Sequence, residues 1–216
     1  MKEISIKICG LTQEKDVSEA TSLGIDFLGF VLVEESSRYV TINRLKKLLK
    51  GIPSTIRTVA LLVNPENDIV EKIVNEVNID FLQLHGQEPP ERVLEISKKS
   101  KIPIIKAIGI KRKDDIKKIR SYENIVDYML LDAKPESEKS LPGGNGIAFN
   151  WKILKGFNAK KPWFLAGGLN SDNVSSAISI TGANMVDVSS GVEVEPGNKS
   201  IEKISSFVRR VNEHYK

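Results

Sequence analysis

A lone cysteine and an aspartate each end a short apolar run, and both side chains could transfer protons. Cys9 ends the run Ile4–Cys9, and Asp132 ends the run Val126–Asp132. A thiolate accepts a proton and a carboxylic acid donates one, so the two could serve a proton-transfer reaction. The plainer alternatives are a buried small hydrophobe for Cys9 and a loop-capping residue for Asp132.

The environment of the cysteine depends on Lys7. Side chains alternate along a strand, so Lys7 and Cys9 point to the same side, and Cys9 precedes Gly10 at the strand end. A cation beside the thiol would favour the thiolate, which at an ordinary pKa of ~8.5 is a minor species near neutral pH. Lys7 could instead pair with Asp187 on the last strand, and the sequence leaves both possibilities open.

Two turns late in the chain are typical of phosphate binding. Gly167-Gly168 leads into a helix, and Ser189-Ser190-Gly191 begins another short one. Backbone amides at such turns, helped by helix N-termini, bind phosphate without Lys or Arg. For either motif alone, a tight turn with a positive φ is the alternative.

Further polar residues complete the predicted substrate site. Arg38 follows the second strand, where its planar guanidinium could grip a carboxylate, although a solvated arginine is the alternative. His85 follows Gln83 at a spacing of two, so both face inward, and His85 is more typical of a barrel-rim residue than of a base. The predicted substrate-binding residues are Arg38, Gln83, His85, Gly144, Gly146, Gly167, Gly168, Asp187, Ser189, Ser190 and Gly191.

Two of these, Gly144 and Gly146, belong to the glycine-rich end of the loop after Asp132. Such a segment could fold over a ligand and exclude water. No second His or Cys/Asp cluster with ligand spacing accompanies His85, so we expect no metal.

Eight strand-helix units must position these residues. The predicted strands are Ile4–Cys9, Phe27–Leu32, Arg57–Val63, Phe81–Leu84, Pro103–Ile108, Val126–Asp132, Trp163–Ala166 and Met185–Ser189. The predicted helices are Gln13–Leu23, Ile42–Leu49, Asn67–Asn75, Glu91–Lys99, Lys113–Arg120, Trp151–Leu154, Ser171–Ile180 and Ser200–Asn212. Thr12, Thr41 and Ser171 are predicted N-caps of the first, second and seventh helices.

Units of this minimal length favour an α/β fold of the (β/α)8 TIM-barrel type, a single domain over residues 1–216. Periodicity alone does not separate a barrel from an open doubly wound sheet. The turn Cys9-Gly10-Leu11-Thr12 lacks the dinucleotide-binding fingerprint that such a sheet often carries. In a barrel, chemistry belongs to the strand C-termini, and phosphate often binds after strands seven and eight.

The composition and charge of the chain restrict the kinds of molecule that it could bind. A net charge of +4 with Lys and Glu alternating along helices is typical of solvated faces, so we expect a small phosphorylated substrate and no nucleic acid. The chain begins with charged residues and has no apolar run near ~18 residues, so we expect no membrane partner. The single cysteine allows no intrachain disulfide and favours the cytoplasm. Whether the chain is a monomer or a homodimer stays open.

An ordered series of short motifs resembles the phosphoribosylanthranilate isomerase family of tryptophan biosynthesis over essentially the whole chain. The stretches that carry this resemblance are Lys7-Ile8-Cys9-Gly10-Leu11-Thr12, Leu28-Gly29-Phe30, Ser37-Arg38-Tyr39-Val40, Val63-Asn64, Leu82-Gln83-Leu84-His85-Gly86, Leu131-Asp132, Gly143-Gly144-Asn145-Gly146, Leu165-Ala166-Gly167-Gly168-Leu169 and Asp187-Val188-Ser189-Ser190-Gly191-Val192-Glu193. Each is weak alone, but the series in this order is highly specific.

The resemblance implies an Amadori rearrangement of N-(5′-phosphoribosyl)anthranilate to 1-(2-carboxyphenylamino)-1-deoxyribulose 5-phosphate, with no cofactor and no metal. The general base of the family falls on Cys9 and its general acid on Asp132. Arg38 would hold the anthranilate carboxylate, and the two late turns would hold the phosphate.

The chain departs from the family pattern at three positions. Ser37 stands where proline is usual, Asn145 replaces a usual threonine, and Asn150 stands where aspartate is common. None of these removes a proposed catalytic group. Loss of the proline should loosen the loop of Arg38, because proline restricts the accessible chain conformations.

Two other kinds of protein are competing hypotheses. Indole-glycerol-phosphate synthase would need a Lys/Glu catalytic set, and the histidine-pathway aminosugar isomerase would need paired Asp residues and a two-fold repeat. A non-catalytic phosphate-ligand sensor would have lost the proton-transfer pair, yet Cys9 and Asp132 are both present.

Overall fold

Eight parallel strands close into a barrel in the computed structural model, which describes residues 4–134 and 148–214. The strands follow one another around the barrel in chain order, and the last pairs with the first. Their bounds are β1 Ser5–Cys9, β2 Phe27–Val31, β3 Arg57–Leu62, β4 Phe81–Leu84, β5 Ile104–Ile110, β6 Tyr128–Ala133, β7 Trp163–Leu165 and β8 Met185–Val188. The predicted (β/α)8 barrel is therefore confirmed, and the open sheet is excluded.

Seven α-helices among the described residues surround the barrel. They are α1 Glu14–Ser22, α2 Ile42–Leu48, α3 Asn67–Glu76, α4 Pro90–Ser100, α5 Asp115–Ile119, α6 Val174–Thr181 and α7 Ile201–Asn212. After β6 the predicted helix Trp151–Leu154 is a short 3-10 turn, where the Asn150 side chain accepts from the amide of Lys152. No helix in the described ranges is long and apolar enough to cross a membrane.

Of the three predicted helix caps, one is confirmed and two are wrong. Thr41 accepts a hydrogen bond from the amide of Arg44 and caps α2. The hydroxyl of Thr12 instead donates to the carbonyl of Gly197, because a distant segment packs against that turn. Near Ser171, α6 begins only at Val174, because a preceding turn is closed by hydrogen bonds between two asparagines, Asn170 and Asn173.

The interior of the barrel is filled in layers. At the end where the strands begin, aromatic rings pack edge to face: the centroids of Phe27 and Phe164 are 5.1 Å apart, and those of Phe81 and Tyr128 are 5.3 Å apart. Towards the strand C-termini, Cys9 packs with Val31, Val33 and Leu61. Such layers make the barrel a packed core with a site at one end.

A two-stranded antiparallel hairpin, not predicted from the sequence, lies between β8 and α7. Its strands are β9 Glu193–Glu195 and β10 Asn198–Lys199, joined by Pro196-Gly197. Gly197 has φ +86° and packs against the backbone of Ser37, so the hairpin touches the loop after β2 as well as Thr12 after β1. The Pro-Gly pair is a turn signal that could have revealed it.

Candidate active site

Cys9 ends β1 with its thiol buried beside a buried cation. The Nζ of Lys7 lies 2.8 Å from Asp187 Oδ1, and its charge also acts on the thiol, so the two possibilities that the sequence left open occur together. Gly29, opposite Cys9 on β2, makes this contact possible. A Cβ at Gly29 would lie 2.9 Å from Cys9 Sγ and 3.1 Å from Lys7 Nζ.

Burial dominates the ionisation of the thiol. Removal from water raises the pKa of Cys9, the positive charges of Lys7 and Lys199 oppose the shift, and the carboxylate of Asp187 adds to it. Burial also acts to lower the pKa of Lys7, but Asp187 and Cys9 outweigh it and the net shift is upward. At neutral pH the free protein therefore holds a protonated thiol next to a charged ammonium.

Asp132, at the end of β6, belongs to a chain of hydrogen bonds across the barrel mouth. Its Oδ2 lies 3.1 Å from His85 Nε2, and its Oδ1 accepts from the amide of Ala133 at 2.8 Å. The amide of Gln83 lies 2.9 Å from His85 Nδ1. If the Gln83 NH2 group donates to Nδ1, the ring proton lies on Nε2 and is donated to Asp132.

This arrangement sharpens the sequence-based interpretation of His85. The imidazole is indeed buried at the barrel rim, but it contacts Asp132, so it orients the carboxyl group. Gln83 Oε1 is buried and has no hydrogen-bond partner among the described residues. No pattern in the sequence indicated that Gln83, His85 and Asp132 would form one chain.

The two predicted phosphate turns lie against each other. Gly167 and Gly168 both have positive φ, +84° and +65°, so the tight turn is real. A Cβ at Gly191 would collide with the carbonyl of Leu169, which brings the turn after β8 onto the turn after β7. Within the described residues, no carbonyl accepts from the amides of Gly168 or Ser190, so both N–H groups can meet an anion.

Each of the two predicted phosphate turns also lies near one of the two residues predicted to transfer protons. A Cβ at Gly167 would lie 3.2 Å from Asp132 Oδ1, and one at Gly10, next to Cys9, would lie 3.2 Å from Ser189 Oγ. The structure therefore places Cys9 and Asp132 on opposite flanks of the two turns.

Arg38 is held by a protein carboxylate. Its Nε lies 2.8 Å from Glu193 Oε1 and its Nη2 lies 2.7 Å from Glu193 Oε2, a two-point contact. The loop that lacks the usual proline is held by Ser36, whose hydroxyl accepts from the amide of Arg38. Burial raises the pKa of Glu193, but Arg38 and Lys199 outweigh it and the net shift is downward. Neither Glu193 nor Lys199 was among the predicted site residues.

Two predicted site residues, Gly144 and Gly146, lie outside the described residues. Asp187 is at the site, but Lys7 occupies its Oδ1. In residues 4–134 and 148–214, no group of three or more His, Cys, Asp or Glu side chains could hold a metal ion.

Comparisons with known proteins match nearly the whole chain to one named family of isomerases. The family model for N-(5'phosphoribosyl)anthranilate (PRA) isomerase matches residues 6–210. A protein of Paracoccus denitrificans named N-(5'-phosphoribosyl)anthranilate isomerase is 42% identical over 207 residues, which cover 96% of each chain. A protein of the same name from Rhodospirillum rubrum is 42% identical over 217 residues, which cover 99% of this chain and all of the other.

Two solved structures of isomerases with corresponding names have the same fold. Phosphoribosyl anthranilate isomerase from Thermotoga maritima superposes with a TM-score of 0.85 at 31% identity, covering 96% of this chain and 98% of the other. A complex of phosphoribosyl anthranilate isomerase with reduced 1-(o-carboxyphenylamino)-1-deoxyribulose 5-phosphate gives a TM-score of 0.84 at 30% identity, with the same coverage.

Proposed function

The chain belongs to the N-(5'-phosphoribosyl)anthranilate isomerase family, and on that premise we propose that Cys9 is its general base and Asp132 its general acid. The enzyme isomerises N-(5′-phosphoribosyl)anthranilate to 1-(2-carboxyphenylamino)-1-deoxyribulose 5-phosphate in tryptophan biosynthesis. This is an Amadori rearrangement, which moves a proton from C2′ and converts an aldose derivative into a ketose derivative.

One observation carries the assignment: the two proton-transfer groups flank the two phosphate turns. Asp132 adjoins the turn at Gly167, and Cys9-Gly10 adjoins the turn at Ser189. A substrate whose phosphate lies on these turns therefore has its ribose between the carboxyl group and the thiol.

The first step is ring opening. Protonated Asp132 gives its proton to the furanose ring oxygen, the C1′–O bond breaks, and the anilino nitrogen supplies the electron pair that forms the Schiff base. His85 and the amide of Ala133 both bond to Asp132, so they fix its orientation and stabilise the carboxylate that remains.

The second step removes the proton at C2′. The Cys9 thiolate accepts this proton, the electrons of the C–H bond form the C1′–C2′ double bond, and the iminium nitrogen is neutralised to give an enolamine. Tautomerisation of the enolamine then yields the ketone. A thiolate whose pKa is raised by burial is a stronger base than an ordinary one, which suits the weak acidity of a C–H bond.

The two charged ends of the substrate have separate binding groups in this scheme. The phosphate lies on the amides of Gly167, Gly168, Ser189, Ser190 and Gly191, where the backbone supplies the hydrogen bonds. The anthranilate carboxylate binds the guanidinium of Arg38, which Glu193 holds in place.

No cofactor takes part in the proposed reaction, because every proton moves between the substrate and these two side chains. We place the enzyme in the cytoplasm, since its one cysteine must stay reduced to act as a base. We propose a monomer or a homodimer, which sedimentation analysis would distinguish.

The direct test follows the fluorescence of anthranilate-linked substrate made in situ, with the wild type, Cys9→Ser and Asp132→Asn. We expect turnover by the wild type and a loss of at least about 100-fold in each variant, the range for loss of a general acid or base. Circular dichroism would show that both variants fold. Near-wild-type turnover in both variants would refute the assignment, and no turnover by the wild type would refute the mechanism.

A further inference from the structure

Lys199, in β10, is a buried lysine that the proton-transfer scheme above does not use. Its side chain is 0% exposed, and its Nζ lies 2.7 Å from Glu193 Oε1. The same nitrogen lies 3.1 Å from the carbonyl oxygen of Ser189 and 3.3 Å from its hydroxyl. Burial lowers the pKa of Lys199 and the carboxylate of Glu193 opposes that shift, so these contacts hold the ammonium group at a defined place.

The ammonium group of Lys199 lies close to the end of β1, where Cys9 stands. Ser189 Oγ, which contacts Lys199, would lie 3.2 Å from a Cβ at Gly10, the residue after Cys9. The charges that act on the thiol from the described residues come from three strands: Lys7 on β1, Asp187 on β8 and Lys199 on β10. From the loop after β2, Arg38 also faces the thiol.

The two lysines differ in how their charge is balanced. Lys7 is paired with Asp187, whose carboxylate itself acts on the thiol and opposes its ionisation. Lys199 shares the carboxylate of Glu193 with Arg38, so two cations divide one anion. Lys199 therefore favours the ionised thiol, whereas Asp187, the partner of Lys7, opposes its ionisation.

One more carboxyl group faces Lys199 from α1. Asp16 is buried, and neither of its oxygens has a hydrogen-bond partner among the described residues. Burial raises the pKa of Asp16, although Lys15 and Lys199 oppose the shift. Asp16 is therefore a further carboxyl group whose charge acts on Lys199.

We propose that Lys199 is a positioning residue of the proton-transfer site, whose fixed ammonium charge favours the thiolate form of Cys9. The inference rests on the proposed role of Cys9 as general base. Glu193 and Ser189 hold the ammonium in place, and the hairpin β9–β10 brings it over the open end of the barrel.

The test measures the thiol directly, without catalysis. Cys9 is the only cysteine, so reaction with methyl methanethiosulfonate, followed by mass spectrometry, reports one site. For Lys199→Met we expect the reaction between about pH 7 and about pH 9 to be about three- to fourfold slower, because a thiol pKa one unit higher leaves about tenfold less thiolate but makes each thiolate more nucleophilic. The single resonance of 13Cβ-labelled cysteine should titrate at correspondingly higher pH, independently of reagent access.

Lys203→Met is the matched control. Lys203 Nζ donates to the carbonyl of Glu193 at 2.6 Å, so this variant also removes a hairpin contact, but Lys203 is not among the charges that act on the thiol. Its thiol reactivity should stay within about twofold of the wild type. If Lys199→Met does not fold, Lys199→Gln keeps a polar group near Glu193 and removes the charge.

Three results would overturn the inference: an unchanged thiol in the folded Lys199 variants, an equal loss of reactivity in Lys203→Met, or a shifted thiol with unchanged turnover. We expect turnover to fall together with the thiol reactivity, by about three- to fourfold, because the remaining thiolate is a stronger base, and the Michaelis constant to change little. Turnover by Cys9→Ser would instead refute the role of Cys9, while the thiol titration would still report on Lys199.

Discussion

Replacing Gly29 with alanine should reduce turnover far more than it reduces stability. The new Cβ would lie 2.9 Å from Cys9 Sγ and 3.1 Å from Lys7 Nζ. Favourable contacts between such atoms lie at about 3.5–4.0 Å, so the thiol and the ammonium must each move by roughly 0.5–1 Å. The thiol would then be displaced from the C2′ proton that it removes in the proposed mechanism.

The expected loss of stability and the expected loss of turnover differ in size. Overpacking of a buried site costs about 1–3 kcal/mol of stability, which leaves a typical domain mostly folded. A displacement of about 1 Å at a reacting group can cost about 100-fold in rate. We therefore expect kcat to fall between about tenfold and about 100-fold while the far-ultraviolet circular dichroism stays native.

Gly109→Ala is the matched control, because Gly109 is also in a barrel strand and a Cβ there would meet Lys134 at an ordinary 3.4 Å. Turnover and urea denaturation would be measured for both variants. If folded Gly29→Ala keeps wild-type turnover, the tight packing of Lys7 against Cys9 has no catalytic importance. Equal losses in both variants would also refute the reasoning.

Two further predictions concern Cys9 and Arg38. Because burial raises the pKa of Cys9, alkylation by iodoacetamide should accelerate about tenfold per pH unit through neutrality; a plateau below the usual thiol range would contradict this. Arg38→Ala should raise the Michaelis constant more than it lowers kcat, as loss of uniform binding does, and steady-state kinetics with an unchanged Michaelis constant would remove Arg38 from the site.

The sequence predicts the strands well because their signal is local. Phe81–Leu84 was predicted without error, and most other strand ends differ by one or two residues. β5 extends to Ile110 because Gly109 and Ile110 pair with β6, which no local pattern indicates. Closure of the barrel likewise depends on the pairing of β8 with β1, so periodicity alone could not establish it.

The placement of Cys9 and Asp132 at strand ends was predictable because it follows from the local strand pattern. The charged partners were not, because buried Lys and Glu are rare and their pairing is set by tertiary structure. Glu193 and Lys199 lie in a hairpin whose strands are too short to show alternation. Thr12 has the residue type of a helix cap, yet its hydroxyl bonds to that hairpin instead.

The aromatic layer at the opposite end of the barrel closes that end, and the candidate active site is open at the strand C-termini. Phe27, Phe81 and Phe164 are buried there, with Tyr128 packed against them, so water has no passage along the axis. Substrate, product and every exchanging proton must use the same opening at the strand C-termini. A substrate bound at that opening therefore also shields the described site residues from solvent.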